Sequence, residues 1–177
     1  MTQSDAPGFD PFPRTLSRQD FVARFGGIYE HSPWIADAIY MRGLTPAEDT
    51  PEGLAATMAE VLAKAGDAAK LALIRAHPDL AGRAAIAGDL TDVSRNEQAG
   101  AGLDRCNAEE YRRFQELNDT YKAKFGFPFI MAVAGKTRRE ILAAFEARIG
   151  NEPGAEVRTA LEQINRIARL RLDSMAR

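Results

Sequence analysis

The sequence predicts an all-α fold, a single-domain helical bundle of about seven to eight helices, on three observations. Apolar residues recur at steps of three and four through most of the chain, the spacing of one helix face. Capping residues (Ser, Thr or Asn) stand just before these runs and glycines just after them, which is how helices start and stop. Only Phe127-Pro128-Phe129-Ile130-Met131-Ala132-Val133-Ala134 has the composition of a strand. It is short and has no evident partner, so it reads as a buried segment, irregular or helical.

Residues 1 to 15, with Pro7, Pro11 and Pro13, are expected to form an extended N-terminal arm, and residues 16 to 177 the domain. Ser17 with Asp20 opens the first helix, whose apolar side is Phe21, Val22 and Phe25 and which Gly26-Gly27 ends. Ser32-Pro33 reads as an N-cap followed by proline at the first helical position, where a missing N–H costs nothing. Trp34, Ile35, Ala38, Ile39 and Met41 carry that helix to Gly43, with Trp34 expected in the core. Thr50-Pro51 repeats the signal before Leu54, Met58, Val61 and Leu62. A helix over roughly 67 to 76 follows, and Pro78 forces His77 to its end or beyond.

Further on, Asn107 with Glu110 starts a helix bearing Tyr111, Phe114, Leu117, Tyr121 and Phe125, which Gly126 stops. Thr137 and Glu140 match a capping box ahead of Ile141, Leu142, Phe145 and Ile149. The last helix begins near Pro153. Val157, Leu161, Ile164, Ala168, Arg171 and Met175 share one stripe of it, so Arg171 either lies at the edge of a packed face or points inward toward an anion.

Composition narrows the function. A net charge of −2 with no long basic run argues against nucleic acid as a partner. A single cysteine, Cys106, allows no internal disulfide and no thiolate cluster for zinc. The N-terminus lacks the pattern of a signal peptide, and no apolar run approaches the ~20 residues of a membrane helix. A soluble cytoplasmic protein with no membrane partner is expected.

The chemistry concentrates between His77 and Gln98. His77 is either a histidine on a helix C-terminus, where the dipole favours imidazolium, or a general acid or base held stiffly by Pro78. Ser94 and Glu97 have the spacing of a capping box, or else Glu97 and Gln98 turn toward His77. Asp79 reads as a turn residue, with a partnership to His77 as its alternative. His31, just before a helix start, reads as packing or capping. His77 with Asp79, Asp89, Asp92 or Glu97 can be drawn as metal ligands, but at no diagnostic spacing, and neither a nucleophile elbow nor a phosphate loop occurs. Cys106 shows no basic neighbour pattern that suggests an activated thiolate.

Taken together, several motifs are more specific than any one of them. Glu30-His31-Ser32-Pro33-Trp34, His77-Pro78-Asp79-Leu80-Ala81-Gly82, Ser94-x-x-Glu97-Gln98, Lys124-Phe125-Gly126-Phe127-Pro128-Phe129-Ile130, Glu140-Ile141-Leu142 through Arg148, and Arg169-Leu170-Arg171-Leu172 occur in that order. Over about residues 15 to 175 the chain resembles the 2-oxo-4-hydroxy-4-carboxy-5-ureidoimidazoline (OHCU) decarboxylase family, which completes the conversion of urate to (S)-allantoin. The resemblance implies an all-α, cofactor-independent carboxy-lyase acting on a small-molecule substrate, with no metal, and often a homodimer. It places the catalytic histidine on His77, with Glu97 in the catalytic set. Substrate contacts fall on Pro78, Ser94, Gln98 and Arg171, and on the backbone of Phe129, Ile130, Met131, Ala132 and Val133. His77, Glu97 and Arg171 are then expected to converge on one cavity. A non-catalytic helical module that keeps a purine-derived ligand pocket, and a metal-dependent hydrolase, are the alternatives.

Overall fold

The protein is described by a computed structural model, which covers residues 8–82 and 90–177. Among these residues there is no strand, and eight α-helices are formed. They are α1 (Arg18–Phe25), α2 (Trp34–Arg42), α3 (Pro51–Lys64), α4 (Asp67–Ala76), α5 (Asp92–Gly100), α6 (Ala108–Phe125), α7 (Arg138–Ile149) and α8 (Pro153–Met175). The fold is all-α, as expected. None of the described helices is long and apolar enough to cross a membrane. Asp89, drawn above as a possible metal ligand, lies outside the described residues.

Most helix ends follow from local chemistry. Ser17 accepts from the N–H of Asp20, and Thr50 from that of Gly53 with Pro51 at the first position of α3. Asn107 and Glu110, and again Thr137 and Glu140, form reciprocal capping boxes that satisfy two end donors each. Gly126 ends α6 at φ +76°, a left-handed conformation that costs glycine nothing. One start differs from expectation: Pro33 occupies the cap position of α2, and Ser32 offers its carbonyl, not its hydroxyl, to Ile35 N–H.

The chain divides into two compact units, Met1–Leu73 with Asn165–Arg177, and Ile74–Ile164. In the first, Phe21, Phe25, Ile35, Ile39, Leu54, Met58 and Leu62 are almost wholly buried. Arg18 ties α1 to α2 through a two-pronged bond to Asp37. Residues 8 to 15 are docked here: Phe9 is buried against Phe25, its N–H bonds Asp49 O, and Gly8 pairs with Arg177 through both backbone groups. Residues 165–177 add Ala168 and Leu172 to the core, and Tyr29 OH donates to Asn165.

The second unit is centred on Tyr121 of α6, whose ring meets those of Phe125, Phe127, Phe129 and Phe145 within 6 Å. Such pairs add about 0.5–1.5 kcal/mol each beyond the area they bury. The segment 127–134 is mostly buried and forms no helix or strand.

Three packing expectations are corrected. Trp34 is 37% exposed on the surface of α2, not in the core. His31 is exposed and sits at φ +47°, so it neither packs nor caps. The inward stripe of α8 is Glu156, Ala160, Ile164, Ala168, Arg171 and Leu172, turned from the expected one because a buried acid and a short alanine, not Val157 and Leu161, face the interior.

Candidate active site

The N–H of His77 bonds back to Ile74 O at 3.3 Å, and Pro78 prevents a further turn of α4. The imidazole is left at the helix end, buried to 9% exposure. Residues 78–82 form no helix or strand, so their peptide groups need other partners. Side chains from two helices supply them. Gln98 of α5 accepts from Ala81 N–H at 3.0 Å and donates to Asp79 O at 3.2 Å. From α6, Gln115 donates to Ala81 O at 2.7 Å and Asn118 to Leu80 O at 2.9 Å.

Ala81 is held at φ +48°, a conformation that costs a side-chain-bearing residue roughly 1–2 kcal/mol and that its bonds to Gln98 and Gln115 offset. Gly82 is required by closeness: a Cβ there would lie 2.6 Å from that of Asp79. Asp79 stands just before the turn at Leu80 and Ala81, and its carboxylate is bonded to Lys122 Nζ at 2.5 Å. The loop carrying His77 and Pro78 is thus fixed from outside at Asp79, Leu80 and Ala81.

The predicted capping box at Ser94 and Glu97 is also corrected. Thr91 is the N-cap of α5 and accepts from Ser94 N–H at 3.3 Å, so Ser94 and Glu97 both lie inside the helix. Ser94 and Gln98, four residues apart, are buried on one side of α5, and Glu97 is half-buried. Their side chains therefore face inward for reasons other than capping. Behind Ala81 and Gly82 a cavity of about 410 Å³ is lined by Gln98, Leu103, Cys106 and Tyr111 among others. Burial and the nearby Glu110 push the Cys106 thiol up and outweigh the opposing effect of Arg138, so it stays protonated.

Ile130 and Ala132 of the irregular segment also bond to side chains. Arg148 Nη1 donates to Ile130 O at 2.7 Å, and Gln163 accepts from Ala132 N–H at 3.0 Å. Glu156, with no exposed surface, binds Arg148 through both carboxylate oxygens, Asn151 Nδ2 at 2.8 Å, and the Tyr121 hydroxyl. Burial alone pushes the Glu156 carboxyl up, but these bonds together outweigh it and hold it below its ordinary value. Burial and the bonded carboxylate push the Tyr121 hydroxyl up.

Arg171, in the other unit, points inward, and the chain itself supplies an anion. Both terminal nitrogens lie 3.2 Å from Glu30 Oε2, and Nη1 also donates to Ile28 O at 3.1 Å. Among the described residues no three His, Cys, Asp or Glu side chains gather as a cation site. Sequence reasoning missed Gln115, Asn118, Lys122, Glu156 and Gln163. Only Glu156 left a signal, as an acid one helical turn before the buried Ala160.

A family model described as OHCU decarboxylase matches residues 14–173. The 2-oxo-4-hydroxy-4-carboxy-5-ureidoimidazoline decarboxylase of Haloferax volcanii is 43% identical over 157 residues, 89% of each chain. Two solved structures are similar. One, a crystal structure of (S)-allantoin synthase, gives a TM-score of 0.73 at 32% identity over 92% of this chain, which spans about half (52%) of that one. The other, OHCU decarboxylase in the presence of (S)-allantoin, gives 0.63 at 25% identity over 80% of this chain and 89% of that one.

Proposed function

The chain belongs to the OHCU decarboxylase family, and on that premise we propose that it converts OHCU to (S)-allantoin without a cofactor. The observation that carries this reading is the His77 loop, in which a buried imidazole stands at a helix end and the backbone just beyond it, at Asp79, Leu80 and Ala81, is held by Gln98, Gln115 and Asn118. Such a frame suits a proton transfer that must reach one face of one carbon.

The reaction makes few demands. The substrate's carboxylate stands on a carbon that bears a hydroxyl and adjoins a ring C=N. When the bond to the carboxylate breaks, its electron pair passes into the ring, CO2 leaves, and one proton is taken up at carbon. The ring is its own electron sink, so the protein supplies orientation, charge stabilisation and that proton. His77 assists loss of CO2 through the hydroxyl, protonates the resulting carbon, or does both in turn. Glu97 orients the imidazole or the substrate hydroxyl. Pro78 and Ser94 belong to the substrate's surroundings. Gln98 already bonds the loop with both ends of its amide, so its part in binding includes the placement of His77. Arg171 offers a planar fork for an anionic or carbonyl oxygen, and the backbone of Phe129 to Val133 completes the assignment. The same reading carries a cytoplasmic location and a homodimer.

The test is to generate OHCU from urate and follow (S)-allantoin by circular dichroism. The wild-type chain should accelerate its appearance over spontaneous decay, and His77→Ala should lower kcat by about two to four orders of magnitude. No acceleration by the wild type, or full activity in His77→Ala, sinks the reading.

A further inference from the structure

Eight largely apolar residues, Phe127 to Ala134, remain irregular although most are buried. Buried backbone groups outside regular structure must be met by side chains or they destabilise the fold. Ile130 O and Ala132 N–H are met in this way, by Arg148 at the end of α7 and by Gln163 in α8. The two engaged groups lie inside the Phe129–Val133 stretch assigned to the substrate.

Arg148 is held on every side. Its fork grips Glu156, with Nη2 2.9 Å from Oε2 and Nε within 3.2 Å of both oxygens. Its face lies 4.3 Å over the Phe129 ring, which in turn stacks on Phe145 at 3.9 Å. Glu156 is fixed further by Asn151 and Tyr121. A buried ion pair is weak as a source of stability, because the desolvation of both charges cancels most of their attraction. What this one does well is fix geometry: a rigid planar group is locked in place so that an N–H of Nη1 meets one carbonyl.

We propose that Arg148, braced by Glu156, acts with Gln163 as a positioning pair that sets the Phe129–Val133 backbone for substrate binding. The proposal rests on the assignment of that backbone to the substrate. Neither side chain is given a part in proton transfer. Their effect on the reaction runs through the peptide groups they hold, so it falls on binding of OHCU and not on the titration of His77.

The experiment compares wild type, Arg148→Lys and Gln163→Leu in the OHCU assay, with far-UV circular dichroism and thermal melts on each. Lysine keeps the charge but cannot grip Glu156, cover Phe129 and reach Ile130 O together. KM should rise about tenfold or more in Arg148→Lys and about threefold in Gln163→Leu, with the pH profile of kcat unchanged in both. A merely structural brace gives another result: lower melting temperatures and less active protein, with KM within about twofold of wild type. That result overturns the proposal, as does a shifted kcat pH profile. If Arg148→Lys fails to fold, Gln163→Leu decides alone, since it leaves the Arg148–Glu156 pair in place. A wild-type chain without activity would fail the function itself. An active wild type, an inactive His77→Ala and an unchanged KM in the two variants would fail only the positioning role.

Discussion

An arginine taken into a protein interior loses hydration worth several kcal/mol unless its fork is met by acceptors. Arg171, 7% exposed, is met by Glu30 and by the carbonyl of Ile28. Glu30, 3% exposed, depends on Arg171 in turn, since a buried carboxylate without a cation would be costly. The pair therefore sets where the guanidinium sits before any substrate arrives. Glu30→Ala leaves a cavity and takes the facing charge from Arg171, and should destabilise the fold by on the order of 3 kcal/mol. Glu30→Gln, which keeps the shape and one acceptor, should cost clearly less. Urea unfolding of both variants measures this. Midpoints equal to wild type in Glu30→Ala would show that Arg171 does not need the carboxylate.

At the scale of the element, α5 decides how the site presents itself. With the cap at Thr91, the first turn is Asp92, Val93 and Ser94, and the helix carries Glu97 and Gln98 on its second turn. Losing a threonine cap costs about 1 kcal/mol, so Thr91→Ala should lower stability by that amount, read as a shift in the denaturant midpoint. A larger loss in Ser94→Ala than in Thr91→Ala, with the activity of Ser94→Ala untouched, would return the cap to Ser94. The Ser-x-x-Glu spacing was legible in the sequence but ambiguous, because the same three-residue step joins a cap to its partner and two side chains on one helix face. Most other elements were unambiguous, since Asn107 with Glu110 and Thr137 with Glu140 sit directly before periodic apolar runs. The loop clamp was not legible. Gln115 and Asn118 look like ordinary polar residues of α6, and only folding brings them to Ala81 and Leu80, 34 and 38 positions apart in the chain. His77 and Arg171 could be singled out one by one, as a histidine before a proline and a charge on an apolar stripe. The residues that hold them in place bond over long separations that carry no local pattern.

At the scale of the whole molecule, buried acids that stay ionised tie folding to pH. The ordinary value for Glu156 is 4.5 and the folded chain holds it lower: burial raises it, but bonds from Arg148, Tyr121 and Asn151 together more than compensate. Glu48 behaves alike, with the desolvation of its burial outweighed by bonds from Thr45 and Thr57 and by backbone N–H groups. A carboxyl depressed in the folded state binds its proton more readily when unfolded, so acid favours unfolding. The contribution is fully present above the unfolded value near 4.5 and is lost as pH falls through the lower folded one. Wild-type stability should therefore be flat from neutral pH down to about 5 and fall steeply below it. Glu156→Gln removes one of these titrations while keeping the side chain's shape. At neutral pH it should be the less stable protein, because the Arg148 fork loses its counter-charge. Below pH 4.5 its curve should fall less steeply than that of the wild type, and the two should approach each other. Denaturant midpoints at a series of pH values test this directly. Two curves that stay parallel through the acid range would mean that the Glu156 carboxyl binds its proton equally well folded and unfolded, and a wild-type curve that gains on Glu156→Gln as pH falls would mean that the brace on Arg148 is a neutral hydrogen bond instead of an ion pair.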